Sequence, residues 1–317
     1  MRIKSALKSK GGVDMASFDM EIEMAGLKMR NPVMLAAGIL GVTGSSLKRV
    51  AEAGVGAVVT KSIGLKPCEG YPNPTITETS CGFLNAMGLP NPGAEEFKRE
   101  IPIAKEGGVP VIVSIFGASK QEFALVGSTV EKAGADALEL NLSCPHAEIG
   151  TFGQNPDLTF AIVECVKKSV GIPVFTKLSP NVTDIVAIAR RAEEAGADGV
   201  TCINTLQAMA IDIETGRPIL ANRIGGLSGP AIKPVALRCV FEVSRAVKIP
   251  VMGCGGIVNW QDAVEFLLAG ASAVQIGTAI AHRELGVFRA ITEGIEAYLK
   301  RKNYGRVEEI VGLSHRY

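Results

Sequence analysis

Two lysines and one cysteine are the residues of this chain best placed to do chemistry. Lys61 follows the apolar run Ala57-Val58-Val59-Thr60, and Lys177 closes the run Val174-Phe175-Thr176. A lysine that ends an apolar strand is costly unless its ammonium meets an anion or an electron-rich ring. Each can be read as a Schiff-base amine, as a charge that stabilises a bound cofactor, or as a rim lysine reaching for water. Cys144 lies in Asn141-Leu142-Ser143-Cys144-Pro145-His146, where the following proline marks a loop that presents the thiol. An ordinary thiol pKa of about 8.5 is close enough to neutrality for base catalysis, and a nucleophilic role stays open beside it. His146 is near in sequence, but side chains at i and i+2 usually diverge. The other six cysteines read mostly as small core hydrophobes.

Amides and glycines form the second group. Asn85, in Leu84-Asn85-Ala86-Met87-Gly88-Leu89, joins Asn141 and Asn204 as groups that both donate and accept. A planar ligand alternating C=O and N–H needs such partners. Asn91, Asn155 and Asn181 read instead as turn and cap residues. Gly253-Cys254-Gly255-Gly256 and Gly277-Thr278 let the backbone approach an anion closely, the alternative being tight turns alone. The string is not the dinucleotide fingerprint, and no acidic residue follows at the required spacing.

The elements that must position these groups recur along the chain. Eight short apolar runs begin at Val33, Ala57, Val111, Ala137, Val174, Gly199, Val251 and Ala273, with helical periodicity between them. Thr183 to Ala195 places Ile185, Ile188, Ala189 and Ala192 on one face, and Gly196 ends that helix. Ala-Gly-Ala-Asp occurs at 133–136 and again at 195–198, with Ala-Gly-Ala-Ser at 269–272. Repeated helix–glycine–strand junctions predict a single-domain (β/α)8 TIM barrel, with an open doubly wound sheet as the alternative. The phosphate site of such a barrel follows its seventh and eighth strands, where the glycine clusters stand. Two connections are long, Gly64 to Pro92 and Leu206 to Pro230, and both follow strand ends that face the site. Residues 1–18 read as an N-terminal tail and 19–317 as the catalytic barrel.

Composition narrows the function classes. Lys and Arg total 33 against 32 acidic residues, a net charge of +1, so no basic footprint for nucleic acid is present. The longest apolar run, Val33 to Val42, is half of what a membrane-spanning helix needs. Seven cysteines without framework spacing point to reduced thiols and a cytoplasmic location, and no metal-ligand pattern occurs.

Taken in order, TKSI at Thr60, NAMGLPNPG at Asn85, NLSCP at Asn141, TKLSPN at Thr176, INT at Ile203, GGLSG at Gly225, GCGGI at Gly253 and IGTA at Ile276 resemble the dihydroorotate dehydrogenases. The cysteine in NLSCP marks the soluble class 1 enzymes, and the likeness leans to class 1B. The resemblance implies FMN held by Ala37, Gly38, Lys61, Ser62, Ser114, Asn141, Lys177, Ile203, Gly229, Gly255, Gly256, Gly277 and Thr278. It implies that dihydroorotate is held by Lys61, Asn85, Ala86, Met87, Gly88, Leu89, Asn141, Asn204 and Thr205. It makes Cys144 the base that takes the C5 proton while hydride passes from C6 to flavin N5, with Lys177 beside the flavin stabilising its reduced form, and Lys61 counted with them as catalytic.

For partners it implies a homodimer core and a second subunit carrying FAD and a [2Fe-2S] cluster, through which electrons reach NAD+. This chain has neither a dinucleotide fingerprint nor a cluster-binding cysteine spacing. Two departures stand out. Ser114 replaces an asparagine common in the family, and Tyr71-Pro72-Asn73-Pro74-Thr75 replaces the usual NPxPR. The alternatives are a class 1A-like enzyme linked to fumarate, a flavin enzyme acting on uracil-type bases, and a non-enzymatic phosphate-binding barrel.

Overall fold

The computed structural model describes residues 19–142 and 152–317, so Cys144 and His146 lie outside the described residues. Eight parallel strands close into a barrel in chain order: β1 Val33–Leu35, β2 Ala57–Val59, β3 Val111–Ile115, β4 Ala137–Asn141, β5 Val174–Leu178, β6 Gly199–Cys202, β7 Val251–Cys254 and β8 Ala273–Ile276. β8 returns to β1 through the register Val274↔Val33 and Gln275↔Met34. These strands are buried along almost their whole length, which is why they read as continuous apolar runs rather than alternating ones.

Eight helices fill the crossovers: α1 Gly44–Glu52, α2 Glu100–Lys105, α3 Lys120–Lys132, α4 Pro156–Lys167, α5 Ile185–Glu194, α6 Lys233–Ala246, α7 Trp260–Leu268 and α8 Gly286–Lys302. α5 buries Ile185, Ile188, Ala189 and Ala192, as its periodicity predicts. It starts two residues later than expected, because Asp184 caps it by accepting from the Ala187 N–H at 3.0 Å.

The repeated Ala-Gly-Ala-Asp junction has a physical basis. Gly134 and Gly196 take φ of +99° and +92°, which glycine adopts without strain. The aspartate then returns to the preceding strand. Asp136 accepts from the Val111 N–H at 2.9 Å and Asp198 from the Val174 N–H at 2.7 Å. Each also pairs with the lysine that ends the helix before that strand, Lys105 of α2 or Lys167 of α4, at 2.6 Å. The motif therefore locks helix, turn and two neighbouring strands together.

The two long connections build structure jointly. The first supplies Ile76–Thr79 and Gly82–Asn85, the second Leu206–Met209 and Ile224–Ser228, and the four segments form one antiparallel sheet. Gly82–Asn85 and Ile224–Ser228 lie side by side at its centre, so each connection depends on the other for half of its pairing. The cysteines depart from expectation. Cys202 and Cys239 are buried, whereas Cys68, Cys165 and Cys254 are half-buried and Cys81 is exposed at the Thr79–Gly82 turn. Among the described residues no helix is long and apolar enough to cross a membrane.

Candidate active site

The C-terminal ends of the barrel strands carry a connected row of polar side chains. Asn141 Nδ2, at the end of β4, donates to Ser62 Oγ at 2.9 Å. Ser62 Oγ lies 2.9 Å from Ser114 Oγ on β3, and both serines are buried. Asn204 Nδ2, just past β6, donates to Asn141 Oδ1 at 3.4 Å. The Thr205 N–H donates to Asn204 Oδ1 at 2.8 Å, and Asn181 holds the same loop by donating to the Thr205 carbonyl at 3.0 Å. Ser114 thus turns its hydroxyl to Ser62 and supports Asn141 through it. Asn181 accepts from the Gln207 N–H, and Asn155 and Asn91 accept backbone N–H groups in the same way, as turn and cap asparagines do.

The two lysines stand in opposite electrostatic situations. Lys177 is buried, with Nζ 3.6 Å from Glu139 Oε1 and 3.4 Å from Gln275 Oε1. Burial disfavours its charged form, but the Glu139 carboxylate outweighs this and holds its pKa above the ordinary value. Lys61 is also buried, and among the described residues no carboxylate lies within ion-pair distance. Among the described residues its Nζ reaches only the Gly38 carbonyl, at 3.5 Å, and burial pushes its pKa down.

An unpaired buried ammonium is poised for an incoming anion. In the free protein its pKa is depressed, and a bound anion raises it. Affinity for an anionic ligand at Lys61 is therefore full below the free-protein pKa and falls as pH rises through it. Orotate titrations at increasing alkaline pH should weaken in the parent, and the dependence should vanish in Lys61→Ala. An equally steep decline in Lys61→Ala would assign it to another group.

Glycines shape the opposite side of the rim. Gly229, Gly255 and Gly256 take φ of +96°, +130° and +76°. A Cβ on Gly256 would lie 2.8 Å from the Gly229 carbonyl oxygen, and one on Gly229 would lie 2.7 Å from Gly82 Cα and 3.4 Å from Thr278 Cγ2. Thr278 and Ser228 share a hydroxyl hydrogen bond of 2.9 Å. Gly255 abuts Ile203, whose Cγ1 a Cβ there would meet at 3.6 Å. Gly277, Gly38 and Ala37 complete the rim after β8 and β1. At Gly229 and Gly256 a side chain would collide with neighbouring backbone, so glycine alone keeps the turn open to a ligand. Gly256→Ala is expected to weaken FMN binding about 10- to 100-fold, the strain of roughly 1–3 kcal/mol at such a φ, measured by flavin release. Unchanged release would remove this turn from the cradle.

Asn85 lies on the small sheet, opposite Ile76 and Gly226, and its Nδ2 donates to the Gly226 carbonyl at 3.3 Å. Gly226 in turn packs against the Thr205 side chain, which brings the sheet to the barrel rim. Ala86 is bound to the Thr75 carbonyl and Met87 to the Tyr71 N–H. Gly88 and Leu89 follow with φ of +73° and +57°, turning the loop back towards Asn91. The sheet and the rim thus join Asn85, Thr205, Asn204 and Asn141 in one continuous row.

A buried cation without a counter-charge among the described residues, a row of amides and a cradle that a single Cβ would fill together suit a flat ring system carrying a phosphate. FMN fits these groups: Gly229, Gly255, Gly256 and Thr278 would hold its phosphate, and Lys61, Ser62, Asn141 and Lys177 its ring. Sequence reasoning missed Glu139, Thr201 and Gln275, which lie beneath Lys177, and Ser228 beside Thr278. The signal was present, since Glu139 and Gln275 interrupt two otherwise apolar strands at inward positions.

Fold and rim define an α/β-barrel enzyme with an anion cradle and a polar mouth. The family model for dihydroorotate dehydrogenase matches residues 19–299, and the chain belongs to that family. It is 55% identical over 293 residues to the dihydroorotate dehydrogenase B (NAD(+)) catalytic subunit of Methanocella arvoryzae, covering 92% of this chain and 96% of that one. The corresponding subunit of Pyrococcus abyssi is 53% identical over 299 residues, covering 93% and 99% of the two chains. The Eimeria tenella DHODH, solved with ferulenol, shares the fold at a TM-score of 0.84 and 23% identity, over 96% of this chain and 91% of that one.

Proposed function

We propose that this chain catalyses the FMN-dependent oxidation of (S)-dihydroorotate to orotate in pyrimidine synthesis, with electrons passing to NAD+ through a second subunit. The observation that carries this reading is full-length likeness to the NAD(+)-linked catalytic subunits, in a chain whose rim holds the amides, lysines and cradle just described. Bound to the rim, FMN would supply the acceptor for the hydride that leaves C6 of the substrate. The chain's own residues do the rest. Asn85, Asn141 and Asn204 fix the pyrimidine by its alternating C=O and N–H groups, with Thr205 and the backbone of Ala86 to Leu89 beside them. Lys61 brings positive charge to the anionic substrate. Cys144 removes the C5 proton. Lys177 offers its ammonium to the negative charge that reduction creates.

The partner is read as a subunit carrying FAD and a [2Fe-2S] cluster, docked on a homodimer core of this chain. Such a subunit must come close to the flavin. Exposed apolar side chains gather on the segments over the barrel mouth, namely Ile76, Met209, Ile211, Ile213 and Ile224, with Ile213 88% exposed. Exposed apolar side chains on these segments support a docking face there. Ile213→Asp is expected to lower NAD+-linked turnover of the reconstituted complex at least tenfold and to leave dye-linked turnover of the isolated chain unchanged. Equal NAD+-linked rates would move the docking face elsewhere.

The assay that tests the function uses the purified chain with dihydroorotate and three acceptors. It should reduce an artificial dye and leave NAD+ untouched until the partner is added. Rapid reduction of fumarate would point to a class 1A-like enzyme. NAD+ reduction by the isolated chain would contradict the need for a partner.

A further inference from the structure

Glu139 has no exposed surface and lies on β4 two residues before Asn141, on the same inward face. Its Oε2 accepts from Thr201 Oγ1 on β6 at 2.9 Å and from Gln275 Nε2 on β8 at 2.8 Å. These two donors hold the carboxylate so that Oε1, which takes no hydrogen bond, faces Lys177 Nζ at 3.6 Å. Alternate strands β4, β6 and β8 supply all three side chains, in a layer where barrels of this kind usually carry bulky apolar residues. Burying such a pair costs desolvation that its attraction barely repays, and an apolar layer of similar volume would fold as well or better. Stability therefore gives no reason for a carboxylate here; its effect on Lys177 does.

We propose that Glu139 is a positioning residue that keeps Lys177 ionised in every redox state of the site, and thereby fixes how flavin reduction depends on pH. The proposal rests on the FMN reading of the rim. Lys177 is shut off from water, so nothing but a fixed counter-charge can hold its proton there. Among the described residues, the titratable groups facing it are Glu139 on β4 and the Cys254 thiol on β7, and burial pushes that thiol's pKa up. The carboxylate of Glu139 is thus the counter-charge that the described residues place beside it. With it in place, reduction of the flavin meets an ammonium already formed, and no proton need be taken up by the lysine. Without it, the lysine would be neutral beside oxidised flavin and would gain its proton only when reduction supplies negative charge.

The test is the midpoint potential of bound FMN from about pH 6 to 9, in the parent, Glu139→Gln, Glu139→Asp and Glu139→Gln/Lys177→Met. Glu139→Gln should show a lower potential at alkaline pH and a steeper dependence, by one extra proton for every two electrons. Glu139→Asp, which keeps the charge, should retain the parent slope, and the double variant should lose the extra proton. A raised potential with the parent slope would show that Lys177 stays charged unaided, and an unchanged potential would show that Glu139 is silent; either overturns the proposal. Parent protein that binds no FMN overturns this proposal together with the functional reading, whereas flavin-loaded variants with identical slopes overturn this proposal alone. Chemical unfolding of the flavin-free proteins gives a second measurement. Lys177→Met leaves a buried carboxylate alone and should be less stable than Glu139→Gln/Lys177→Met, and the reverse order contradicts the pairing.

Discussion

Cys144→Ala is expected to bind FMN and orotate as the parent does, while dihydroorotate reduces its flavin about 10²- to 10⁴-fold more slowly, the usual contribution of a general base. The amides and hydroxyls of the rim hold and polarise a ring but take no proton from carbon near neutral pH. The family likeness assigns the C5 proton to the Cys144 thiol. Cys144→Ser should recover activity only at high pH, because a hydroxyl is the poorer base. Stopped-flow reduction of the pre-loaded flavin separates the chemical step from binding. A parent-like rate in Cys144→Ala would take the cysteine out of the mechanism.

Lys177→Met should lower the flavin's midpoint potential and slow its reduction by dihydroorotate about 10²- to 10³-fold at full FMN occupancy, as loss of one preorganised oxyanion donor does. Lys177 is held by two fixed neighbours, Glu139 and Gln275, and so cannot swing away to water. Its charge is paid for before the substrate arrives. Methionine keeps the length and removes the charge, so a loss traces to the ammonium rather than to a cavity. An unchanged potential in a fully loaded variant would make Lys177 a spectator. Together with Cys144→Ala this divides the reaction between proton removal and charge stabilisation, since only the lysine variant should move the potential.

Much of the barrel was legible because parallel strands buried on both faces announce themselves as apolar runs, and because the Ala-Gly-Ala-Asp junctions repeat a constraint of glycine φ and aspartate capping. The strand-end positions of Lys177 and Asn141 were legible for the same reason, as polar residues that close apolar runs. The four-stranded sheet was hidden, since its strands are 4 or 5 residues long and its central pairing spans some 140 positions of sequence. Glu139 and Gln275 were hidden inside runs that looked apolar overall. Only the register of β4, β6 and β8 shows that their polar side chains converge beneath Lys177. Glu193 and Glu309, each one of two adjacent acids, give no sign in the sequence that each accepts two backbone N–H groups and closes a turn. Cys81 was misplaced because an apolar residue type at a tight turn carries no periodicity to reveal its exposure.

The central claim is that the rim of this barrel binds FMN and passes it a hydride from dihydroorotate. It is tested most directly by mixing the purified, flavin-loaded chain with dihydroorotate in the absence of oxygen and following the flavin absorbance. The account predicts full bleaching of the oxidised flavin band, with one orotate released per flavin. A flavin that stays oxidised under dihydroorotate, or a purified chain that holds no flavin, would contradict it.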